Sequence, residues 1–397
     1  MSFWPALRLA SLTFYAAGMR ELLPPSPDPG SLSADERLDE LGWLLRPPGQ
    51  GIHTVSTGKR ELLDKTRAYL GEFDEQRAWR EHIAELIAAK PKVAILAIPS
   101  DTGAGIVRGA ARGPEAIREA LGRAPAPDLG DVFCIPHLLD EPMLATGQRM
   151  RCQDALWPEL EVGRRRTLPV SPVGMAERVR RLLLAHAPEL TLFTLGGDHT
   201  VTWPVIAPLL ELDRVHEVGV VHFDAHTDLL PERLGIRICF ATWAFHANAL
   251  LGGGERMIQI GIRASARDRG HWERELEVRQ IWASEAIELG AEVLAKRVVE
   301  HLHFRGIRRV YVSNDIDGTD AHWAAACGTP EPGGLTPAMV VAVIQAVGRE
   351  FELIGADLVE LAPGLSLDRE ASARSIETAA LYTRESLAVL AAGKLQE

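Results

Sequence analysis

The chain has 397 residues, of which 46% are hydrophobic and 24% charged, with a formal net charge of −11; this is a globular composition, long enough for one large domain or two ordinary ones. Phosphate contacts need basic patches, so the acidic balance excludes a nucleic-acid partner. No basic leader precedes a long apolar core and no span fits a bilayer, so no membrane partner is expected, and the scattered Cys134, Cys152, Cys239 and Cys327 read as reduced thiols in the cytoplasm.

Residues 21–31 are rich in proline and read as a linker or irregular loop. Ser33 then stands at an N-cap position before 33–45, whose apolar spacing predicts a helix. Residues 58–90 predict one or two more amphipathic helices, with Leu62, Leu63, Tyr69, Leu70, Trp79, Ile83, Leu86 and Ile87 on the buried stripe. Residues 1–91 thus form a helical and irregular N-terminal extension, and 92–397 the main domain.

From residue 92 short apolar runs alternate with helices. Strands are predicted at 92–99, 190–197, 218–226, 257–263, 309–317 and 352–361. Helices are predicted at 113–121, around 176–187 and at 334–350, where Pro337 falls in the first turn. Such alternation means βαβ units and a mostly parallel sheet covered on both faces, an α/β fold in three layers. The loop 97–109 carries Gly103, Gly105 and Gly109, but Arg108 stands where a dinucleotide fingerprint needs glycine. It reads as a mobile loop near the sheet edge.

Three strand ends carry the chemistry. Asp224, His226 and Asp228 are two residues apart, so an extended backbone would put them on one side. The run 190–197 ends in two glycines and then offers Asp198 and His199. The run 309–317 ends with Asp315 and Asp317, and Asp320 follows. In open parallel sheets ligands bind at the carboxyl ends of strands. Buried carboxylates are too costly to leave unpaired, and a divalent cation removes that cost. Four or more carboxylates and two imidazoles exceed one ion's needs and suit two metals ~3.5–4 Å apart. Oxygen-rich donors with some imidazole favour Mn²⁺, with Ni²⁺, Co²⁺ or Zn²⁺ behind it.

The motifs GGDHT (196–200), DAHTD (224–228) and SNDIDGTD (313–320) resemble the three signatures of the ureohydrolase family, which holds arginases, agmatinases and related amidinohydrolases. RGPEAIR (112–118), QIGIR (259–263) and GTPEPGGL (328–335) support the resemblance, which covers roughly 92–390. It implies an arginase-like α/β/α sandwich. It implies one metal on His199, Asp224, Asp228 and Asp315, and a second on Asp224, His226, Asp315 and Asp317, with Asp224 and Asp315 bridging. A metal-bridging hydroxide would attack the guanidinium carbon. Asp228 would pass a proton to the leaving amine, and Glu360 in ADLVELAP (356–363) would pair with the guanidinium. Thr329 would sit beside the metals and line the substrate site. The substrate would be a small cationic guanidino compound of agmatine, guanidino-acid or guanidine type, giving urea and an amine. Family members imply a homo-oligomer, a trimer or hexamer.

Several positions depart from the family. A histidine within a short HG-containing loop usually follows DAHTD and helps shuttle protons. Here no histidine stands at the expected place near Ile236, and the nearest is His246. His246 is either a substitute catalytic histidine or a half-buried helix residue. Leu230 stands where arginases carry asparagine, and Asn314 and Ala321 replace a usual phenylalanine and proline. Two alternatives stay open: a formimino or amidine hydrolase of the same fold, and a non-catalytic metal-binding member.

Overall fold

A computed structural model of the chain describes residues 26–54, 68, 75–105, 107–212 and 215–393. The expected helix positions Leu62, Leu63, Tyr69 and Leu70 lie outside the described residues. Nine strands form one sheet: β1 (Leu45–Arg46), β2 (Val93–Ile98), β3 (Asp128–Val132), β4 (Thr191–Gly196), β5 (Val218–Phe223), β6 (Met257–Ile262), β7 (Arg279–Trp282), β8 (Arg309–Asp315) and β9 (Glu352–Val359). Their order is β1-β3-β2-β4-β9-β8-β5-β6-β7. Only β1 runs antiparallel to its neighbour among the described pairs.

The strands are apolar on both faces because helices cover both. Along β2, Ala94, Leu96 and Ile98 join one apolar cluster while Val93, Ile95 and Ala97 join the other, as the alternation of a strand requires. The first cluster takes in Val179 of the helix Pro172–His186 and Trp243 of the helix Trp243–Leu251. The second takes in Val298 and Val343 from the helices Ala283–Phe304 and Pro337–Glu350. The three-layer α/β expectation therefore holds. The six expected strands are all present, and β1, β3 and β7 are added.

The described residues of the N-terminal segment are built into the sandwich. Ser33 caps the helix Ala34–Leu44, its hydroxyl accepting from the Glu36 N–H at 3.2 Å while Glu36 accepts from the Ser33 N–H at 2.8 Å, a capping box. The helix runs into β1, which pairs with β3. Leu41, Leu44, Leu45, Trp79 and Ile83 belong to the first apolar cluster. Glu40 is fully buried and paired with Arg178 and with Arg164 at 3.0 Å.

Two local expectations are corrected. The extended run does not continue through Asp228: β5 ends at Phe223, and Asp228 adopts a left-handed φ of 51°. The loop after β2 is not at the sheet edge, because β2 is the third strand. A Cβ on Gly103 would lie 2.0 Å from Thr200 Oγ1, and the Asp101 carboxylate accepts from the Gly109 N–H at 2.8 Å. The glycine there permits close packing on the GGDHT turn.

Candidate metal centre and active site

The central order β4-β9-β8-β5 gathers the carboxyl ends that carry the motifs. His199 opens the 3-10 turn after β4, with Asp198 as its N-cap accepting from the Thr200 N–H at 2.8 Å. Asp224, His226 and Asp228 lie in the loop after β5. Asp315 ends β8, and Asp317 sits in the 3-10 turn Ile316–Gly318. Glu360 follows β9 directly.

These side chains converge. His199 Nδ1 lies 3.3 Å from Asp224 Oδ2, 3.2 Å from Asp228 Oδ2 and 3.1 Å from Asp315 Oδ2, yet it is buried with no well-aligned hydrogen-bond partner. His226 Nδ1 lies 3.1 Å from Asp317 Oδ2 and 3.4 Å from Asp224 Oδ1. Asp224 therefore presents one oxygen to each histidine. The ligand atoms of His199, His222, Asp224 and Asp228 lie within 4.8 Å of one another, as do those of Asp224, His226 and Asp317. Asp315 joins through His199, and its other oxygen accepts from the Asp317 N–H at 2.9 Å.

The tautomer of His199 can be deduced. Tyr311 and Ser313 both donate to the Asp357 carboxylate at 2.8 Å. With its proton given away, Ser313 Oγ accepts from His199 Nε2 at 3.0 Å. Nε2 therefore carries a proton, and in the neutral ring the Nδ1 lone pair faces the three carboxylates, as a metal-ligating imidazole needs. A buried, orphaned lone pair among carboxylate oxygens fits a divalent cation, and the oxygen-rich set with two imidazoles suits a hard or borderline one.

With no cation bound, the electrostatics put a proton where a cation would sit. Burial opposes charge on His199 and His226, but the facing carboxylates outweigh it, holding His199 well above the usual range and pushing His226 up to about 12. A cation at each Nδ1 displaces that proton. Burial raises the pKa of Asp315 well above the carboxylate range, and Asp317 and Asp224 add repulsion. Crowding of this kind is what bound cations offset.

Around the cluster, Thr329 Oγ1 donates to Asp317 Oδ2 at 2.8 Å. Glu360 Oε1 accepts from the His199 N–H at 2.8 Å. Burial lifts the Glu360 pKa well above its usual value, and Asp198 lifts it further. Glu360 and Asp228 both have left-handed φ angles, 66° and 51°, a strain of order 1–3 kcal/mol each that the surroundings must over-determine. At Asp228 they do: its carbonyl accepts from the Phe245 N–H at 3.2 Å and Oδ2 accepts from Trp243 Nε1 at 3.1 Å.

His246 is not brought to the cluster. Its Nε2 lies 3.0 Å from the Arg237 carbonyl oxygen and its ring meets Trp203 and Phe245 edge-on. Burial, aided by the Arg237 charge, lowers its pKa to about 4. Of the two readings of His246, this geometry supports the packing one.

Sequence reasoning missed His222 and Trp243. Both are fully buried, and the Trp243 ring lies tilted against that of His199 at 4.7 Å and edge-on to that of His222 at 4.8 Å. His222 could have been found by extending the two-residue spacing backwards from Asp224. Trp243 carries no local signal, since only the tertiary fold brings it under the cluster.

A profile of the Arginase family matches residues 91–383. An N(1)-aminopropylagmatine ureohydrolase of Thermus thermophilus is 33% identical over 291 residues, 72% of this chain and 87% of that protein. A guanidinobutyrase of Pseudomonas aeruginosa is 31% identical over 279 residues, 68% of this chain and 78% of that protein. Among solved structures, the proclavaminate amidino hydrolase of Streptomyces clavuligerus matches with a TM-score of 0.58 at 26% identity, covering 75% of this chain and 92% of that one. The chain belongs to the arginase family of ureohydrolases, hydrolases that act on carbon–nitrogen bonds.

Proposed function

We propose that the protein hydrolyses a linear, cationic guanidino compound to urea and an amine at a centre of two divalent cations. The carrying observation is the convergence of His199 Nδ1 on three carboxylate oxygens, with Asp224 shared by a second set around His226. His199, Asp224, Asp228 and Asp315 would hold one cation, and Asp224, His226, Asp315 and Asp317 the other. Bound there, two cations lower the pKa of water so that hydroxide is available near neutral pH. Mn²⁺ suits the oxygen-rich set best, ahead of Ni²⁺, Co²⁺ and Zn²⁺.

The chain's own groups do the rest. Glu360 spends one oxygen on the His199 N–H, which aims the other at the site. Burial alone favours its neutral form; an arriving guanidinium favours the ionised one and binds it through charge-assisted hydrogen bonds. Thr329 holds Asp317 and borders the same space as Gly328, whose Cβ position lies 4.0 Å from Glu360 Oε2. Asp228, oriented by Trp243, would take the proton of the hydroxyl added to the guanidinium carbon and deliver it to the leaving amine as the C–N bond breaks. The named relatives differ in the tail of the guanidino compound, which supports agmatine-type compounds and guanidino acids as the substrate class, with guanidine as the member that has no tail. We place the protein in the cytoplasm as a homo-oligomer, a trimer or hexamer. All four cysteines are free, and no helix among the described residues is long and apolar enough to cross a membrane.

The test is urea release by Mn²⁺- and Ni²⁺-loaded protein across a guanidino panel, with chelated controls. Release from at least one compound, abolished by chelation, is expected. Formamide or ammonia instead of urea would move the reaction to formimino or amidine hydrolysis. Silence with two cations bound would favour the non-catalytic member.

A further inference from the structure

One row of polar residues crosses the sheet beneath the metal centre. Cα partners place Gln280 of β7 beside Gln259 of β6, Gln259 beside His222 of β5, His222 beside Ser313 of β8, and Ser313 beside Asp357 of β9. All five are buried, and the first four have no exposure at all. Polar groups at such depth are costly unless their hydrogen bonds are met.

The hydrogen bonds of this row have a direction, and it can be read from the outer end. The Trp282 indole is donor only, and its Nε1 lies 2.9 Å from Gln280 Oε1. That orients the Gln280 amide, whose Nε2 donates to Gln259 Oε1 at 2.8 Å. Gln259 Nε2 then donates to the Thr227 carbonyl at 2.6 Å and to His222 Nδ1 at 3.0 Å. An Nδ1 that accepts leaves the ring proton on Nε2, which donates to Asp224 Oδ2 at 2.8 Å. Four successive donors thus point at the carboxylate that faces both His199 and His226.

We propose that Gln280 and Gln259 form a positioning relay that locks His222 as an Nε2–H donor, and that His222 serves Asp224 rather than a cation. The proposal rests on the two-cation reading above. His222 Nε2 comes within ligand-like range of the cluster, but it carries the proton and has no lone pair to give. Its N–H pins Asp224 Oδ2, while Oδ1 accepts from the His226 backbone N–H at 2.6 Å and faces the His226 ring. The other arm of the row, from His199 through Ser313 to Asp357, runs the same way, so its donors point away from the centre. One row therefore supplies an imidazole with an open lone pair on one side and a pinned, anionic carboxylate on the other. Aligned donors also strengthen one another in a low-dielectric interior.

The test separates polarity from packing, using the full chain. In Gln280→Glu, measured at alkaline pH where the buried carboxyl is ionised, the side chain only accepts. The Gln259 amide must then turn its nitrogen toward position 280 and its oxygen toward His222 and Thr227, which reverses the relay. Gln280→Met removes the link without reversing it, because the Thr227 carbonyl still orients Gln259. Mn²⁺ binding is followed by calorimetry and stoichiometry, activity by kcat and KM separately. Gln280→Glu is expected to weaken Mn²⁺ binding about 10–100-fold, the usual range for partners outside the ligand shell, and to lower kcat with little change in KM. Gln280→Met is expected to lose clearly less. Should Gln280→Glu fail to fold, Gln259→Leu, which leaves His222 Nδ1 without a donor, is expected to show the same weakening. His222→Gln, whose amide reaches the Nε2 position, is expected to keep two Mn²⁺ per chain and more affinity than His222→Leu. Equal losses in Gln280→Glu and Gln280→Met, or no loss in Gln259→Leu, would overturn the relay alone. Loss of one Mn²⁺ from His222→Gln would make His222 a ligand and overturn it too. A wild type that binds fewer than two Mn²⁺ would overturn the two-cation reading and the relay with it.

Discussion

Asp228 and Glu360 stand on strained backbone, and each is held by bonds that leave one carboxylate oxygen for chemistry. Replacing Asp228 with Asn keeps the shape and the Trp243 bond but removes the proton carrier. Activity is expected to fall about 10²–10⁴-fold, the usual share of general acid–base catalysis, while metal analysis still finds bound cations. Glu360→Gln removes the charge that meets the guanidinium; kcat/KM is expected to fall about 10–100-fold, the size of a charge-assisted hydrogen bond. At this scale the sequence was most legible where motifs crowd charge onto strand ends: His199, Asp224, His226, Asp228, Asp315 and Asp317 do converge. It was least legible for partners that arrive across the sheet. Gln259, Gln280, Ser313 and Asp357 look like ordinary strand residues until the register aligns them.

The elements that carry the site depend on backbone contacts too close for side chains. A Cβ on Gly197 would fall 1.8 Å from the Ser100 carbonyl oxygen, and that oxygen already accepts from the Asp198 N–H. Gly197→Ala is therefore expected to lower stability by about 2–4 kcal/mol, the range of severe core lesions, and to displace the turn that presents His199; urea unfolding and metal affinity check both. The helix Trp243–Leu251 carries Trp243 toward the cluster and His246 toward the loop 231–237. His246 is held near pKa 4 in the fold against about 6.5 unfolded. Its stability contribution is complete above about pH 6.5 and is lost as pH falls toward 4. In His246→Phe the stability difference between pH 7 and pH 4 is expected to shrink by about 1–2 kcal/mol, allowing for partial exposure. Among strands, the long apolar runs were legible and β1, β3 and β7 were not. Two are of four residues or fewer, and DLGDV in β3 carries glycine and two aspartates whose burial depends on Arg118, which pairs with Asp128 at 2.8 Å and with Asp131 at 2.5 Å.

The whole molecule joins the described part of the N-terminal extension to the sandwich through shared core and a buried charge cluster. Glu40→Ala would leave Arg178 buried without its anion, a loss of about 3–5 kcal/mol for a broken buried pair. Denaturant midpoints are expected to fall accordingly, and a chain lacking residues 1–91 is expected to be insoluble. Periodicity predicted the helices at Ala34–Leu44 and Glu75–Ala88; it could not show that Leu41, Leu44 and Trp79 share a core with β3. The central claim is that these layers bring two cation sites together around Asp224. Electron paramagnetic resonance of Mn²⁺-loaded protein, with metal analysis on the same sample, tests it most directly. Two Mn²⁺ per chain with an exchange-coupled signal are expected, reduced to a magnetically isolated ion in Asp224→Ala. One Mn²⁺ per chain, or two without coupling, would contradict the account.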